Sequence, residues 1–304
     1  KKWLKIGTRA SKLALWQANY VKEFLIRNFT DVEVILKEII TTGDANSEDA
    51  IESFGGKNIF VKEIEQALIS KEIDLAVHSY KDLPAQLPEG LEIISTSNRE
   101  DPRDVLVSKS NKALLKLSDN PKIGTGSLRR SEQLIHIRKD VSIIPIRGNV
   151  DTRIRKSLDT DIDGVVLANA GIRRLGLSNY VSELFDIDVI VPSPLQGFLA
   201  IEAREDTDLT KYFEHFSSEE SVLVSNYERQ FLKDLNLGCQ YPAGFCMQVH
   251  KENKFSFNYF LKGTKKEVKN KEVFSYSDLL TQYSKMIDTL TPIIWLKQIF
   301  TYYN

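Results

Sequence analysis

Along the first two hundred residues, the hydrophobic pattern changes repeatedly between short β-branched runs and longer stretches with helical spacing. The run Val32–Ile40 is typical of a strand, whereas the apolar residues that follow Ser11 recur three and four apart and predict a helix ending near Asn28. This alternation predicts mainly parallel sheets with helices on both faces. The other predicted strands are Trp3–Gly7, Asp74–Val77, Lys122–Gly124, Ser142–Ile146 and Gly164–Leu167, and the other predicted helices begin near Ile59, Ser127, Asn149 and Asn169.

Two proline-containing segments, Asn98–Asp104 and Val191–Pro194, interrupt the alternation. We interpret them as crossings between two α/β lobes, with a hinged cleft in which ligands bind. Between the second crossing and the end of the first lobe, Gln196–Arg204 is predicted to be a helix that returns to that lobe.

After Ser217 the pattern predicts a long amphipathic helix, then alternating strands, then a last helix. These elements favour a small α+β domain with a three-stranded antiparallel sheet. Its predicted elements are Glu220–Leu235, Phe245–Val249, Phe255–Leu261, Glu267–Phe274 and Ser277–Leu290, and the apolar segment after Pro292 has no predicted role. The predicted domains are therefore 1–97 with 195–216, then 101–192, then 217–304.

Composition narrows the class of protein. Hydrophobic content of 42% and charged content of 27% over 304 residues are those of a soluble globular protein, and no apolar run has the roughly 20 residues that span a bilayer. A net charge of −1 argues against a nucleic-acid binder. Two cysteines, without metal-site spacing, indicate a reducing compartment and no metal. We expect a cytoplasmic protein, or one of a plastid or other organelle if a targeting segment precedes Lys1.

Arginines gather at predicted strand ends and helix starts. Because the carboxyl ends of strands in an open α/β sheet line one crevice, these guanidinium groups predict a site for a polyanion that carries carboxylates or phosphates. Solvated surface charge with ordinary ion pairs is the alternative interpretation. The turn GTGSLRR lacks the residues of a P-loop, which weakens the hypothesis of a nucleotide-using transferase. The arginines are Arg9, Arg129, Arg130, Arg147, Arg153, Arg155, Arg173 and Arg174.

Two further segments contain candidate chemistry. In HSYKDLP, Lys81 and Asp82 follow a predicted strand, either as a surface pair or as a carboxylate that handles protons, and His78 is interpreted as a packed strand-end residue. In LNLGCQYPAG, Cys239 lies in a tight turn, either as a nucleophile or as a small buried apolar residue. Cys246 is predicted to be structural. The polar loop 43–58 is a candidate lid.

Seven motifs occur in one order along the chain: HSYKDLP, NREDPRD, GTGSLRR, RGNVDTR, AGIRRLG, PLQGFLAIEAR and LGCQYPAG. Together they closely resemble the porphobilinogen deaminase, or hydroxymethylbilane synthase, family from about Leu4 to Leu290. The resemblance implies two periplasmic-binding-protein-like α/β domains and a small cysteine-bearing domain. It also implies a transferase of heme biosynthesis that condenses four porphobilinogen molecules, with loss of ammonia, onto a covalent dipyrromethane primer and releases hydroxymethylbilane.

The resemblance also assigns roles to residues. Cys239 would hold the dipyrromethane cofactor through a thioether, and Asp82, with Lys81, would be catalytic. The implied cofactor contacts are Lys81, Asp82, Thr125, Ser127, Arg129, Arg130, Arg147, Arg153 and Arg174, and the implied substrate contacts are Arg9, Ser11, Lys57, Phe60 and Gln196. We expect a monomer that takes porphobilinogen as its small-molecule partner. The departures from the family pattern, Tyr80, Gly126 and Leu237, remove no charged participant. A non-catalytic two-lobed protein that binds anionic solutes is the alternative.

Overall fold

The computed structural model describes residues 1–40, 61–238 and 241–301, with side chains as far as Ile294. The chain divides into two compact units. Unit 1 comprises Lys1–Glu100 and Gly197–Val222, and unit 2 comprises Asp101–Gln196 and Leu223–Asn304. The three-domain boundaries given above stay a prediction.

The described strands are β1 Lys2–Thr8, β2 Val32–Glu38, β3 Leu75–Ser79, β4 Leu91–Thr96, β5 Asp104–Ser108, β6 Lys122–Gly124, β7 Ser142–Ile144, β8 Gly164–Ala168, β9 Glu183–Leu184, β10 Leu199–Arg204, β11 Ala243–His250, β12 Lys254–Lys262 and β13 Glu267–Ser275. The described α-helices are α1 Lys12–Asn28, α2 Lys62–Ile69, α3 Leu128–Ile137, α4 Val150–Asp159, α5 Asn169–Arg174, α6 Glu219–Asp234 and α7 Leu279–Thr301. Short 3-10 turns include Tyr80–Asp82.

Unit 1 contains a five-stranded sheet in the order β2-β1-β3-β10-β4. Strand β1 is parallel to β2 and β3, whereas β10 is antiparallel to β3 and β4. Helix α1 covers one face, where Leu25 packs with Ile201, and α2 covers the other, where Leu68 packs with Leu91. Ser11 caps α1 as predicted, since its hydroxyl accepts a hydrogen bond from the Ala14 N–H.

The prediction of a helix over Gln196–Arg204 is wrong, because Leu199–Arg204 forms the antiparallel strand β10. Helices cover both faces of this strand, so it lacks the alternation of a half-exposed strand. Leu199 and Ile201 belong to the core beneath α1, and Glu202, on the opposite face, is completely buried. A buried glutamate surrounded by alanine and leucine imitates the composition of a helix.

Unit 2 contains a second five-stranded sheet, in the order β7-β6-β8-β5-β9, together with the C-terminal elements. Strands β6, β7 and β8 are parallel, and β5 is antiparallel to β8 and β9. The strand order and directions are those of unit 1. The prediction of mainly parallel sheets is corrected to mixed sheets, since β5 and β10, which follow the two crossings, each run against their neighbours.

The predicted three-stranded antiparallel sheet is confirmed as β11-β12-β13. Its core is aromatic: the rings of Phe231 and Phe245 stack at 4.5 Å between centroids. The last helix does not end at Leu290 but continues through Pro292 to Thr301. Burial of Leu290 and Ile293 outweighs the proline penalty. Among the described helices, none is long and apolar enough to cross a membrane.

Candidate active site

The carboxyl edge of the unit 1 sheet contains four of the predicted site residues. Arg9 and Ser11 follow β1, while Lys81 and Asp82 follow the parallel neighbour β3. Parallel neighbours end at the same edge, so these side chains share one side of the unit. Asp82 is exposed in the 3-10 turn, and Arg9 and Lys81 are half-buried. An exposed carboxylate at the same edge as two cations suits proton transfer to a charged ligand.

The corresponding edge of unit 2 is built around Asp104, which sequence reasoning missed. Because β5 runs antiparallel to β8, its first residue pairs with Ala168, the last residue of β8, and Asp104 therefore lies at the carboxyl edge. Asp104 is fully buried. Its Oδ2 lies 2.7 Å from Arg129 Nη1, and its Oδ1 lies 2.8 Å from Arg130 Nη2 and 2.9 Å from Gln196 Nε2.

Arg129 and Arg130 are therefore buried and not solvated surface charges, since each is 5% exposed. Arg129 Nη1 also donates to the Val191 carbonyl at 2.8 Å, and Arg130 Nη1 to the Val166 carbonyl at 3.1 Å. Burial by itself would raise the pKa of Asp104, but the two guanidinium charges and their hydrogen bonds outweigh it and hold that pKa below its usual range. Burial lowers the pKa of Arg129, although the charge of Asp104 opposes this effect.

Two hydroxyl residues shape the turn that leads into these arginines. Thr125 Oγ1 accepts a hydrogen bond from the Ser127 N–H at 3.1 Å. Ser127 caps α3, since its hydroxyl accepts from the Arg130 N–H at 3.4 Å. The helix start thus presents backbone N–H groups and a positive dipole end at the sheet edge, a favourable environment for an anion.

The remaining predicted arginines of unit 2 are more accessible. Arg147 is exposed, and Arg153 and Arg174 are half-buried. Arg153 Nε donates to the Gly148 carbonyl at 2.6 Å, which orients its guanidinium from the start of α4. These side chains follow β7 and β8, the two parallel neighbours of β6, and so share an edge with the Asp104 cluster. Their charge suits carboxylate groups.

Several assignments lie outside the described residues: Cys239, Lys57, Phe60 and the loop 43–58. Cys246 is fully buried in β11, which confirms it as structural. His78 is packed, at 7% exposure, as predicted.

A second residue that sequence reasoning missed is Glu228, buried in α6. Its carboxylate accepts the Leu195 N–H at 2.5 Å and the Met247 N–H at 2.8 Å. It therefore ties the end of the second crossing to β11 inside unit 2. A single glutamate on an amphipathic helix gives no sequence signal of this role, because most such residues are solvated.

The fold and the two sheet edges define the class: an α/β protein with two five-stranded mixed sheets of the same strand order, cationic side chains at their carboxyl edges, and a C-terminal antiparallel sheet. A sequence model described as "Porphobilinogen deaminase, dipyromethane cofactor binding domain" matches residues 4–212. The chain belongs to the porphobilinogen deaminase family.

Curated relatives agree with this assignment. A porphobilinogen deaminase of Syntrophomonas wolfei is 46% identical over 241 residues, which is 79% of this chain and 79% of the relative. One of Syntrophotalea carbinolica is 45% identical over 240 residues, or 79% and 76% of the two chains. Among solved structures, the methionine-binding protein MetQ aligns at 16% identity with a TM-score of 0.43, over 75% of this chain and 95% of that one. A likeness of that size adds nothing to the assignment.

Proposed function

We propose that this protein is a porphobilinogen deaminase, a transferase that condenses four porphobilinogen molecules stepwise onto a covalent dipyrromethane primer and releases hydroxymethylbilane. The observation that carries the proposal is the match of residues 4–212 to the family's cofactor-binding domain, together with 46% identity to a curated deaminase. This match favours the enzyme over a solute-binding protein without chemistry. Synthesis of this product would place the protein in heme biosynthesis.

The residues present fit the dipyrromethane group. Each pyrrole bears one acetate and one propionate arm, so the ligand needs several fixed cations. Arg147, Arg153 and Arg174 would bind these carboxylates, with Ser127 and the N-terminus of α3 as neutral donors. When bound through Cys239, the group would supply the free pyrrole carbon to which the first unit is joined, and each later unit would be joined to the one before it.

Arg129 and Arg130 would contribute in a different way from the more accessible arginines of unit 2. Both already share Asp104, so they add positive charge to the edge while their guanidinium planes stay locked. A locked guanidinium loses little side-chain entropy when a carboxylate arrives. Thr125 and Gln196 would mainly hold this arrangement, through the Ser127 N–H and through Asp104.

Asp82 would perform the proton chemistry. Its exposed carboxylate lies beside Lys81 in the turn after β3. There it would accept a hydrogen bond from the pyrrole N–H of porphobilinogen and stabilise the positive charge that stays on the ring when the protonated aminomethyl group leaves as ammonia. Arg9 and Ser11, at the same edge, would orient the carboxylate arms of the substrate.

The intact mass of the purified protein tests the proposal. We expect wild type to exceed its sequence mass by two pyrrole units and to consume porphobilinogen, and Cys239→Ser to lose both properties. Asp82→Asn should keep the added mass but turn over porphobilinogen at least about a hundredfold more slowly. Wild type reconstituted with porphobilinogen that neither gains mass nor consumes substrate would instead favour a binding protein without chemistry.

A further inference from the structure

Three titratable side chains meet on the α2 face of the unit 1 sheet, and the function proposed above uses none of them. His78 Nε2, at the end of β3, lies 2.8 Å from Glu202 Oε2 on β10. Their side chains are 6% and 0% exposed. Glu65 on α2 is also buried, at 8% exposure. In this cluster, Glu65–His78–Glu202, the residue His78 lies two positions before the Tyr80–Asp82 turn along the chain.

The cluster contains more acid than base. Among the described residues, neither Glu65 Oε1 nor Glu202 Oε1 has a hydrogen-bond partner. Burial, and then the charge of Glu202, raise the pKa of Glu65 to about 7, while His78 opposes the rise. The Glu65 carboxyl therefore keeps its proton more readily than a solvated glutamate does.

Other charged groups occur on the elements that pack against α2. Arg204 lies two residues beyond Glu202 in β10, but its Nη1 is used by the carbonyls of Leu68 and Ile73. The remaining charged side chains on β1, β4 and α2 are Lys2, Lys5, Glu92, Lys62 and Glu63.

The strand end is held from its other face as well. Ser79 alternates with His78 and points towards α1, where its hydroxyl accepts a hydrogen bond from Gln17 Nε2 at 2.8 Å. The next backbone N–H, that of Tyr80, donates to the Phe198 carbonyl at 3.0 Å. Three successive residues before Asp82 are thus anchored: His78 on the α2 face, Ser79 on the α1 face, and Tyr80 through its backbone N–H.

We propose that Glu202 and His78, packed in the sheet face that α2 covers, are positioning residues that fix the Tyr80–Asp82 turn and thereby aim the Asp82 carboxylate. The inference rests on the proposed role of Asp82. Catalytic groups must be held to well within an ångström, and a 1 Å error can cost about a hundredfold in rate. A buried hydrogen-bonded pair on the strand that carries the turn provides such rigidity, because its rearrangement would leave a buried polar group without its partner.

Hydrogen–deuterium exchange of the peptide that covers 75–83 tests the anchoring without any substrate. We expect Glu202→Gln to speed exchange of this peptide about tenfold, since a neutral amide replaces the carboxylate that His78 contacts. The matched control is Glu92→Gln, which removes an exposed glutamate from the neighbouring strand β4. Exchange in Glu202→Gln that equals the control would overturn the inference.

The pH profile of turnover tests the link to Asp82. In Glu202→Gln we expect kcat to fall about tenfold or more with little change in KM. In Glu65→Gln, which mimics the protonated acid, the decline of kcat on the alkaline side of pH 7 should become shallower than in wild type. A purely structural role would lower kcat in proportion at every pH, and parallel profiles would sink the proposal.

The two experiments separate this inference from the proposed function. A wild-type protein that consumes no porphobilinogen would refute the function, and the exchange measurement would still decide whether Glu202 holds the turn. An active wild type with unchanged exchange in Glu202→Gln would leave the function standing and remove Glu202 from its positioning role.

Discussion

The antiparallel strand of each unit contains a buried acid, but the side chains around the two acids differ in charge. In unit 2, Asp104 of β5 is shared by Arg129 and Arg130, so two guanidiniums surround one carboxylate. In unit 1, Glu202 of β10 has one imidazole and a second carboxyl, that of Glu65, nearby. The corresponding strands β5 and β10 therefore hold a cluster with excess positive charge and a cluster with excess acid.

This difference shows how one architecture supports two kinds of chemistry. Excess positive charge at the edge of unit 2 suits the binding of carboxylate arms. Excess acid behind the edge of unit 1 suits the retention of a proton near Asp82. The two clusters should also respond to pH in opposite directions, and the predictions below test the contrast.

The largest effect is expected for Asp104→Asn. The substitution preserves shape but leaves two buried guanidiniums without a counter-charge, and we expect the free energy of unfolding to fall by about 3–5 kcal/mol. Urea unfolding at pH 7 measures this loss.

The control for that variant is Asp161→Asn. Asp161 pairs with Lys122 at the surface of unit 2, where its side chain is 91% exposed. The urea midpoint of Asp161→Asn should therefore match that of wild type. If Asp104→Asn behaves like this control, the Asp104 cluster does not organise unit 2.

A smaller effect is expected from Glu65, and it depends on pH. Because its pKa in the folded protein, about 7, lies above that of an unfolded glutamate, its contribution to stability is complete below about pH 4.5 and is lost as pH rises through 7. Thermal midpoints of wild type should therefore fall between pH 5.5 and 8, and those of Glu65→Gln should fall less.

Asp104 should make stability depend on pH in the opposite direction, and the same thermal midpoints would show it. Its pKa is held low, so its contribution is present above the ordinary aspartate range and is lost only as pH falls below about 4. Glu65→Gln should leave this acid side of the profile unchanged. Equal slopes for wild type and Glu65→Gln above pH 5.5 would show that the unit 1 cluster holds no proton.

Local patterns explain why part of the molecule was predictable. Helix α1 is predictable because Ser11 is a capping residue followed by apolar positions three and four apart, and the strands of the C-terminal sheet are predictable because they alternate. Strand β10 is not, since long-range pairing between two covered faces overrides its helix-like composition. The sequence places Asp104 only in a crossing, because its role depends on Arg129 and Arg130, which are distant in sequence.

The smallest effect on stability is expected at the two helix caps, Ser11 in unit 1 and Ser127 in unit 2. They follow the equivalent strands β1 and β6. Each hydroxyl accepts one long hydrogen bond, at 3.3 Å and 3.4 Å, so Ser11→Ala and Ser127→Ala should each lower the free energy of unfolding by about 1 kcal/mol. Ser118→Ala, in an exposed loop, is the control.

The Ser127 cap receives the N–H of Arg130, whose side chain is already locked on Asp104. A loss in Ser127→Ala well above that in Ser11→Ala would therefore mean that the cap and the ion cluster of unit 2 act as one structure, whereas equal losses would mean that each helix start is held independently.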